Sequence, residues 1–533
     1  MGNPTYTSMN ELYQAFVEHT QPETQIIHWN DQTITAAELV QNVDRYTGYL
    51  IQMGVRLGVG VGYTMPNRPE IIYLLLAISR LGGYAVPLFH MIPDMGKANI
   101  FKNCRVQWVV TTGQQLSSLR EASLKIQADY KVVTIEDEFA APVDSSLRLD
   151  DFILPKTDPN LAGLMASSSG TTGIPKMVMM NQGNLAAVVQ ATFELVTPVN
   201  LNGAERYSSV MAFPLSTSGM LVVLGTMFAG VNLIFSEDMS PLKYLQLMTQ
   251  WRADSLSAPP SYFEALLGFP PLDSFDLTTV KRVLTGMDFF SPSLLQRLKA
   301  KFVNLSSFAN GFGLIETATV FMTCKLLTEA ELNQPTNRMK LVPNLGNRIE
   351  IRDENGRNIG VGEEGELYVK GPSVVPGYLG NPAETENARE CASFKDGWFR
   401  TGDLARNEGN DTITLLGRRK YLIKRGGKSV SPIVVQNELN RIPGVRNSAV
   451  VGVPHQLYGE MVWAFIVKQP QVDLQLKEIM RHCRAELPNY MIPDQVTFID
   501  EIPKNPGVGK VDFEKLKAMA LQELQHINGG NNG

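Results

Sequence analysis

The chain is short of the residues that build disulfide scaffolds and metal clusters. Its 533 residues include four cysteines, Cys104, Cys324, Cys391 and Cys483. They lie far apart and form no C-x-x-C pair, which excludes a disulfide framework and a cysteine zinc site and fits a reducing compartment. Six histidines form no H-E-x-x-H, so a metalloprotease has no support. No run of about 18 apolar residues occurs, and the longest candidate, 221–235, carries Gly and Asn and is too short to span a bilayer. Basic excess is missing too. Against 48 Lys and Arg stand 53 Asp and Glu, a net charge of −5, which argues against a broad nucleic-acid-binding surface. Nothing at the N-terminus reads as a signal peptide, and Tyr6 stands where a myristoylation signal needs Ser or Thr. Internal repeats and coiled-coil heptads are absent. These absences predict a soluble, cytoplasmic protein with no membrane span and no nucleic-acid partner.

What is present is an ordinary folding composition, 44% hydrophobic and 19% charged. At roughly 150 residues per domain the length predicts about three to four domains or subdomains. Apolar runs at 107–110 and 131–135 read as buried strands, and 70–81 and 292–301 read as helices. Ser8-Met9-Asn10-Glu11 is a capping box opening another helix. Strand–helix alternation over this length predicts an α/β fold with largely parallel sheets. A boundary falls near residue 418, where 417–428 holds six basic residues and no acid. This divides the chain into a large domain 1–417, a hinge 418–420, a small domain 421–525 and a disordered tail 526–533.

The most informative segment follows the strand-like run 161–166. It reads Ser167-Ser168-Ser169-Gly170-Thr171-Thr172-Gly173-Ile174-Pro175-Lys176. Glycines let backbone N–H groups turn towards an anion, hydroxyls add donors, and the lysine adds a mobile charge suited to phosphate. It is not a Walker A loop, since Pro175 precedes Lys176 and Met177 follows it. On composition alone, a Ser/Gly surface loop accounts for it equally well.

The string S-S-G-T-T-G-x-P-K resembles the phosphate loop of the adenylate-forming superfamily, which includes acyl-CoA synthetases, adenylation domains and luciferases. Further segments resemble that family in order. They are the stretch 67–87, Asn310-Gly311-Phe312-Gly313-Leu314-Ile315-Glu316, Gly365-Glu366-Leu367 through Gly377-Tyr378, and Trp398-Phe399-Arg400-Thr401-Gly402-Asp403. Gly417-Arg418-x-Lys420 with Gly427 and Pro432, and Pro503-Lys504-Asn505 through Gly509-Lys510-Val511, complete the set. The likeness covers nearly the whole chain. It implies a large N-terminal domain of stacked α/β subdomains with a small β-barrel-like subdomain, and a small mobile α+β C-terminal domain.

The resemblance also implies an activity. ATP activates a carboxylic acid as an acyl-adenylate with release of pyrophosphate, and the acyl group then passes to the thiol of CoA. The implied cofactors are ATP, Mg²⁺ and CoA. A carrier-protein thiol, amine or hydroxyl is an alternative acceptor, and a catalytically impaired nucleotide-binding protein is a further alternative. By the same resemblance Ser168, Ser169, Gly170, Thr171, Thr172, Gly173 and Lys176 grip phosphates, and Glu316 holds Mg²⁺. Gly286, Asn310, Gly311, Phe312 and Gly313 lie by the adenine. Asp403 takes the ribose hydroxyls, Arg418 the ribose or phosphate, and Lys510 the charge of adenylation. Lys420 is the pivot of the small domain, Phe213, Ser216 and Thr217 line the acyl site, and Gly426 and Gly427 line the thiol tunnel. Taken singly, each has a plainer reading: Asp403 as a turn cap, Glu316 as a solvated helix charge, the basic run as a surface patch, Lys510 as a surface lysine.

Some positions depart from the family pattern. Ile315 replaces a threonine, a loss worth about 1–3 kcal/mol if its hydroxyl met a phosphate. Met177 replaces a glycine, Gln182 a histidine, and Val434 and Gln436 replace glutamates. The segment 213–219 lacks an aromatic–His pair and carries no Asp for an α-ammonium group, which disfavours a standard amino acid. Fatty, aromatic and small acids all remain open. Asp288 reads as a cap for the helix beginning near Ser291 or as a contact for a polar substrate group.

Overall fold

The computed structural model describes residues 6–139, 143–144, 146–154, 157–167, 177–196, 208–212, 215, 219–286, 290–328, 330–333, 337–342, 345–378, 395–469, 472–504 and 511–529. Local signals set the first elements. The helix Met9–His19 starts at Ser8, whose hydroxyl accepts from the Glu11 N–H while Glu11 reaches back, so the capping box is complete. Glu70–Arg80 is a helix buried along nearly all its length, and Pro292–Lys301 is a helix with proline in its first turn. Trp108–Thr111 and Lys131–Thr134 are strands, within a residue of their expected positions.

Three sheets result. The first, seven-stranded, is parallel through Lys131–Thr134, Trp108–Thr111, Gly60–Tyr63, Tyr84–Pro87 and Ala162–Ser167, with Met177–Asn181 and Gly377–Tyr378 added antiparallel. The second has thirteen strands. One half is parallel from Gln25–Trp29 to Ser307–Leu314. From Thr319–Leu326 onward it turns antiparallel, through Arg338–Leu341, Thr412–Arg418, Phe399–Gly409, Glu364–Lys370 and Arg348–Arg352. The expectation of largely parallel sheets therefore holds for only part of the molecule. Short polar connections such as Asn410-Asp411, both at positive φ, join neighbouring strands as hairpins, which parallel pairing does not allow.

The third sheet has five strands and belongs to the C-terminal part. Beyond a register shift at Val445/Asn447, Val445–His455 and Gly459–Lys468 alternate between two faces. Val450, Val462, Ala464 and Ile466 pack with Val435 and Leu439 on one face, while Val451, Val453, Trp463 and Phe465 pack with Leu516 and Ala520 on the other. Both faces are covered, so this α+β unit has its own core. Its last helix runs Phe513–Gly529. That corrects the expectation of disorder from 526. His526 lies in its last turn. Among the described residues, no helix is long and apolar enough to cross a membrane.

Candidate active site

The strands Phe399–Gly409 and Thr412–Arg418 place Asp403 directly opposite Arg418. Arg418 Nε lies 3.0 Å from Asp403 Oδ1. The Thr401 hydroxyl donates to the Leu367 carbonyl at 2.8 Å and accepts from the Asp403 N–H at 3.0 Å. Arg418 also donates to the Thr401 carbonyl at 3.0 Å. Gly402 sits between them at φ +74, a backbone state that side chains rarely adopt. The Asp403 side chain is 7% exposed and that of Arg418 is 39%. The carboxylate is thus fixed from behind, while the guanidinium reaches solvent and can meet an anion.

A second buried acid stands one strand away. Glu366, on Glu364–Lys370, accepts from Arg400 at 2.8 and 2.7 Å and from Arg419 at 2.6 Å. Burial pushes its pKa up, but the hydrogen bonds and charges of the two arginines outweigh burial and hold the carboxyl below its usual range. The basic run is therefore only in part a solvated patch: Lys420, Lys424 and Lys428 are exposed, while its arginines are paired. Arg418, Arg419 and Arg425 each have a carboxylate partner, the last being Asp494.

Asn310, Gly311, Phe312 and Gly313 lie on the strand Ser307–Leu314, and Gly286 ends the neighbouring parallel strand in register with Gly311. A Cβ at Gly286 would stand 3.0 Å from the Gly311 carbonyl oxygen, so only glycine leaves this floor flat. Asn310 is buried, and its Oδ1 has no hydrogen-bond partner among the described residues. Phe312 is half-buried against Phe321. The strand leads into the 3-10 turn Ile315–Thr317, where Glu316 Oε1 accepts from the Tyr378 hydroxyl at 3.0 Å. Glu316 is thus a positioned carboxylate and not a loose helix charge.

Gly426 and Gly427 form the two-residue turn between Ile423–Arg425 and Lys428–Val430, both at positive φ and both exposed. Lys420 is exposed, with its ammonium 4.5 Å from the Tyr421 ring. Ser168, Ser169, Gly170, Thr171, Thr172, Gly173, Lys176, Phe213, Ser216, Thr217, Asp288, Cys391 and Lys510 lie outside the described residues. Their surroundings are informative all the same. Ser167 pairs with Met177, so the 168–176 segment joins two antiparallel strands and not a strand to a helix, a further difference from a Walker A loop. The Leu215 N–H, within 213–219, donates to Asn67 Oδ1 at 2.9 Å. The helix beginning at Pro292 is capped by Ser291 itself, whose hydroxyl accepts from the Leu294 N–H at 3.1 Å.

Several of the departures from the family pattern are buried or packed against a core. Met177 is buried beside Met165 and Leu88. Gln182 is fully buried at the start of the helix Gln182–Val196, and its Oε1 accepts from the Ser79 hydroxyl at 3.2 Å. Ile315 packs against the main core, and Val434 against the core of the C-terminal sheet. The cysteines are structural where described: burial pushes the Cys104 and Cys324 thiols up to about 12 and Cys483 up to about 11. His28 is buried and stacked on Trp251.

Glu366, Arg419, Thr401 and Tyr378 support the site without having been assigned roles from the sequence. Glu366 and Tyr378 fall inside quoted motifs, but only the strand pairing reveals what they hold.

A family model described as AMP-binding enzyme matches residues 14–379, and one for the C-terminal domain of AMP-binding enzymes matches 435–508. A feruloyl-CoA synthase from Amycolatopsis is 28% identical over 498 residues, covering 92% of this chain and 94% of that protein. A 2-succinylbenzoate–CoA ligase from Listeria monocytogenes is 26% identical over 513 residues, covering 96% and 99%. The ATP-bound structure of MatB from Rhodopseudomonas palustris superposes with a TM-score of 0.80 at 24% identity, covering 96% of this chain and 98% of that one, and shares the fold.

Proposed function

Because the chain belongs to the AMP-binding enzyme family, we propose that it is an AMP-forming acid–thiol ligase working through the residues described above. It joins a carboxylic acid to ATP as an acyl-adenylate, releases pyrophosphate, and passes the acyl group to the thiol of CoA. The observation that carries this reading is the match along both the large and the C-terminal parts of the chain, together with CoA-ligase relatives that align from end to end.

The chemistry explains the residue types. A carboxylate is a weak nucleophile and repels the triphosphate it must attack. The site therefore has to cancel charge and hold the partners in line. Asp403, fixed from behind by Thr401 and Arg418, takes the ribose hydroxyls. Arg418 turns its exposed edge to ribose or phosphate. The flat Gly286–Gly311 floor admits a planar base, and Asn310 Oδ1 offers an acceptor for an exocyclic amine. Lys176 and the hydroxyls of 168–172 grip the phosphates, and Lys510 offsets the charge that develops between the carboxylate and the α-phosphate. Glu316 would hold Mg²⁺. A single oriented carboxylate fits an ion that takes most of its oxygen ligands from phosphates and water, and the ion supplies charge neutralisation when bound. Rotation of the small domain about Lys420 then withdraws Lys510 and brings the Gly426-Gly427 turn to the incoming thiol.

The substrate is an aromatic carboxylic acid, by likeness to the feruloyl and succinylbenzoate relatives and because 213–219 offers no acid for an α-ammonium group. Burial of Cys104, Cys324 and Cys483 in the core suits a cytoplasmic setting. The test of the acceptor is thiol consumption. With ATP, Mg²⁺ and an aromatic acid that supports turnover, free CoA thiol should disappear in step with AMP formation. AMP formation without thiol loss would show that the acceptor is a different one.

A further inference from the structure

The residues on either side of Lys420 are held by different parts of the molecule. Before it, Arg418 and Arg419 pair with Asp403 and Glu366, both on strands of the thirteen-stranded sheet. After it, Tyr421 stacks on Phe513, with ring centroids 4.3 Å apart and an interplanar angle of 27°. Phe513 opens the last helix. Just before it, Lys504 and Val511 pair as an isolated antiparallel bridge, and the Asp512 N–H donates to the Pro503 carbonyl at 2.9 Å. The segment that carries Lys510 is therefore closed at its base two residues before the stacked ring. Val511 and Phe513 also pack against the core on that face of the C-terminal sheet.

We propose that the Tyr421–Phe513 stack ties the base of the Lys510 segment to the pivot, making these two aromatics positioning residues for adenylation and not for thiol transfer. The proposal rests on the role given to Lys510 above. Stacked rings hold a preferred separation and offset, which an aliphatic pair of similar area does not impose. Adenylation needs that fixity, because a cation must sit between two negatively charged reactants. A displacement of about 1 Å at such a point costs up to about a hundredfold in rate. Thiol transfer uses the rotated arrangement, from which Lys510 has been withdrawn, and so does not draw on the stack.

Tyr421→Ala, Tyr421→Phe, Phe513→Leu and Lys510→Ala are compared in two assays. One is acid-dependent ATP–pyrophosphate exchange, and the other is thioester formation from supplied acyl-adenylate and CoA. Tyr421→Ala and Phe513→Leu should lower exchange by roughly tenfold and leave thioester formation within about twofold of the parent. Tyr421→Phe keeps the ring and should restore parental exchange. An equal fall in both assays, as a merely structural role would give, overturns the proposal, and so does unchanged exchange in Tyr421→Ala. Lys510→Ala separates the two ideas. If it loses exchange while Tyr421→Ala does not, the stack alone is refuted. If it retains exchange, the role of Lys510 fails first.

Discussion

Lys510→Ala lowers acid-dependent ATP–pyrophosphate exchange by about a hundredfold or more, the scale of losing one aimed charge or donor from a preorganised site. The argument is electrostatic. The attacking carboxylate and the α-phosphate carry like charge, and the repulsion is greatest where bond formation begins. A flexible ammonium placed there acts on the transition state more than on either bound reactant, so the loss falls on kcat and less on the KM for ATP. Thioester formation from supplied acyl-adenylate should remain close to parental, because in the proposed cycle that step begins after the lysine has withdrawn. Steady-state assays of the two half-reactions check both statements. Parental exchange in the variant would remove Lys510 from the chemistry.

Asp403→Ala lowers kcat/KM for ATP by about one to two decades, since hydrogen bonds to a charged group contribute about 1.5–3 kcal/mol. Two effects combine in that loss. The carboxylate that would take the ribose hydroxyls disappears, and Arg418, 39% exposed, loses the partner 3.0 Å away that holds its direction. In the proposed cycle Asp403, unlike Lys510, serves the nucleotide in both half-reactions, so both should suffer. Asp403→Asn keeps the shape and one acceptor oxygen and should fall between parent and Ala. Titration of ATP into each variant, alongside kinetics, gives the measure. Unchanged affinity and unchanged kcat/KM in Asp403→Ala would assign the Asp403–Arg418 pair to structure alone.

Elements with short-range signals were legible in the sequence. Ser8 and Glu11 cap their helix through contacts three residues apart, and Pro292–Lys301 carries its own N-terminal punctuation in Ser291 and proline. Trp108–Thr111 was visible as a bounded apolar run. Long-range pairing was not. Nothing local in 338–418 says that these strands run antiparallel and continue the sheet begun by parallel strands far earlier in the chain. The helical end at 526–529 was hidden by the polar composition of the residues that follow it.

The site divides in the same way. Asp403, Arg418 and Glu316 were readable because family motifs surround them. That Asp403 and Arg418 face each other depends on cross-strand register, which a motif does not encode. The Glu366 network needs three elements to converge, and the carboxylate partners of the three arginines in the basic run 418–428 come from other segments that composition does not point to. Tyr421 and Phe513 had no signal at all, because two aromatics in separate segments announce no contact until the fold brings them together. Gln182 taught the converse. A departure from the family pattern by sequence, it is a fully buried side chain whose Oε1 accepts from the Ser79 hydroxyl.

The central claim, that this chain adenylates a carboxylic acid, is tested most directly by ATP–pyrophosphate exchange with pooled acids in the presence of Mg²⁺. Aromatic, fatty, hydroxy and amino acids form separate pools. The account predicts exchange that depends on added acid, strongest with the aromatic pool and without needing CoA. Binding of ATP with no exchange from any pool would contradict it.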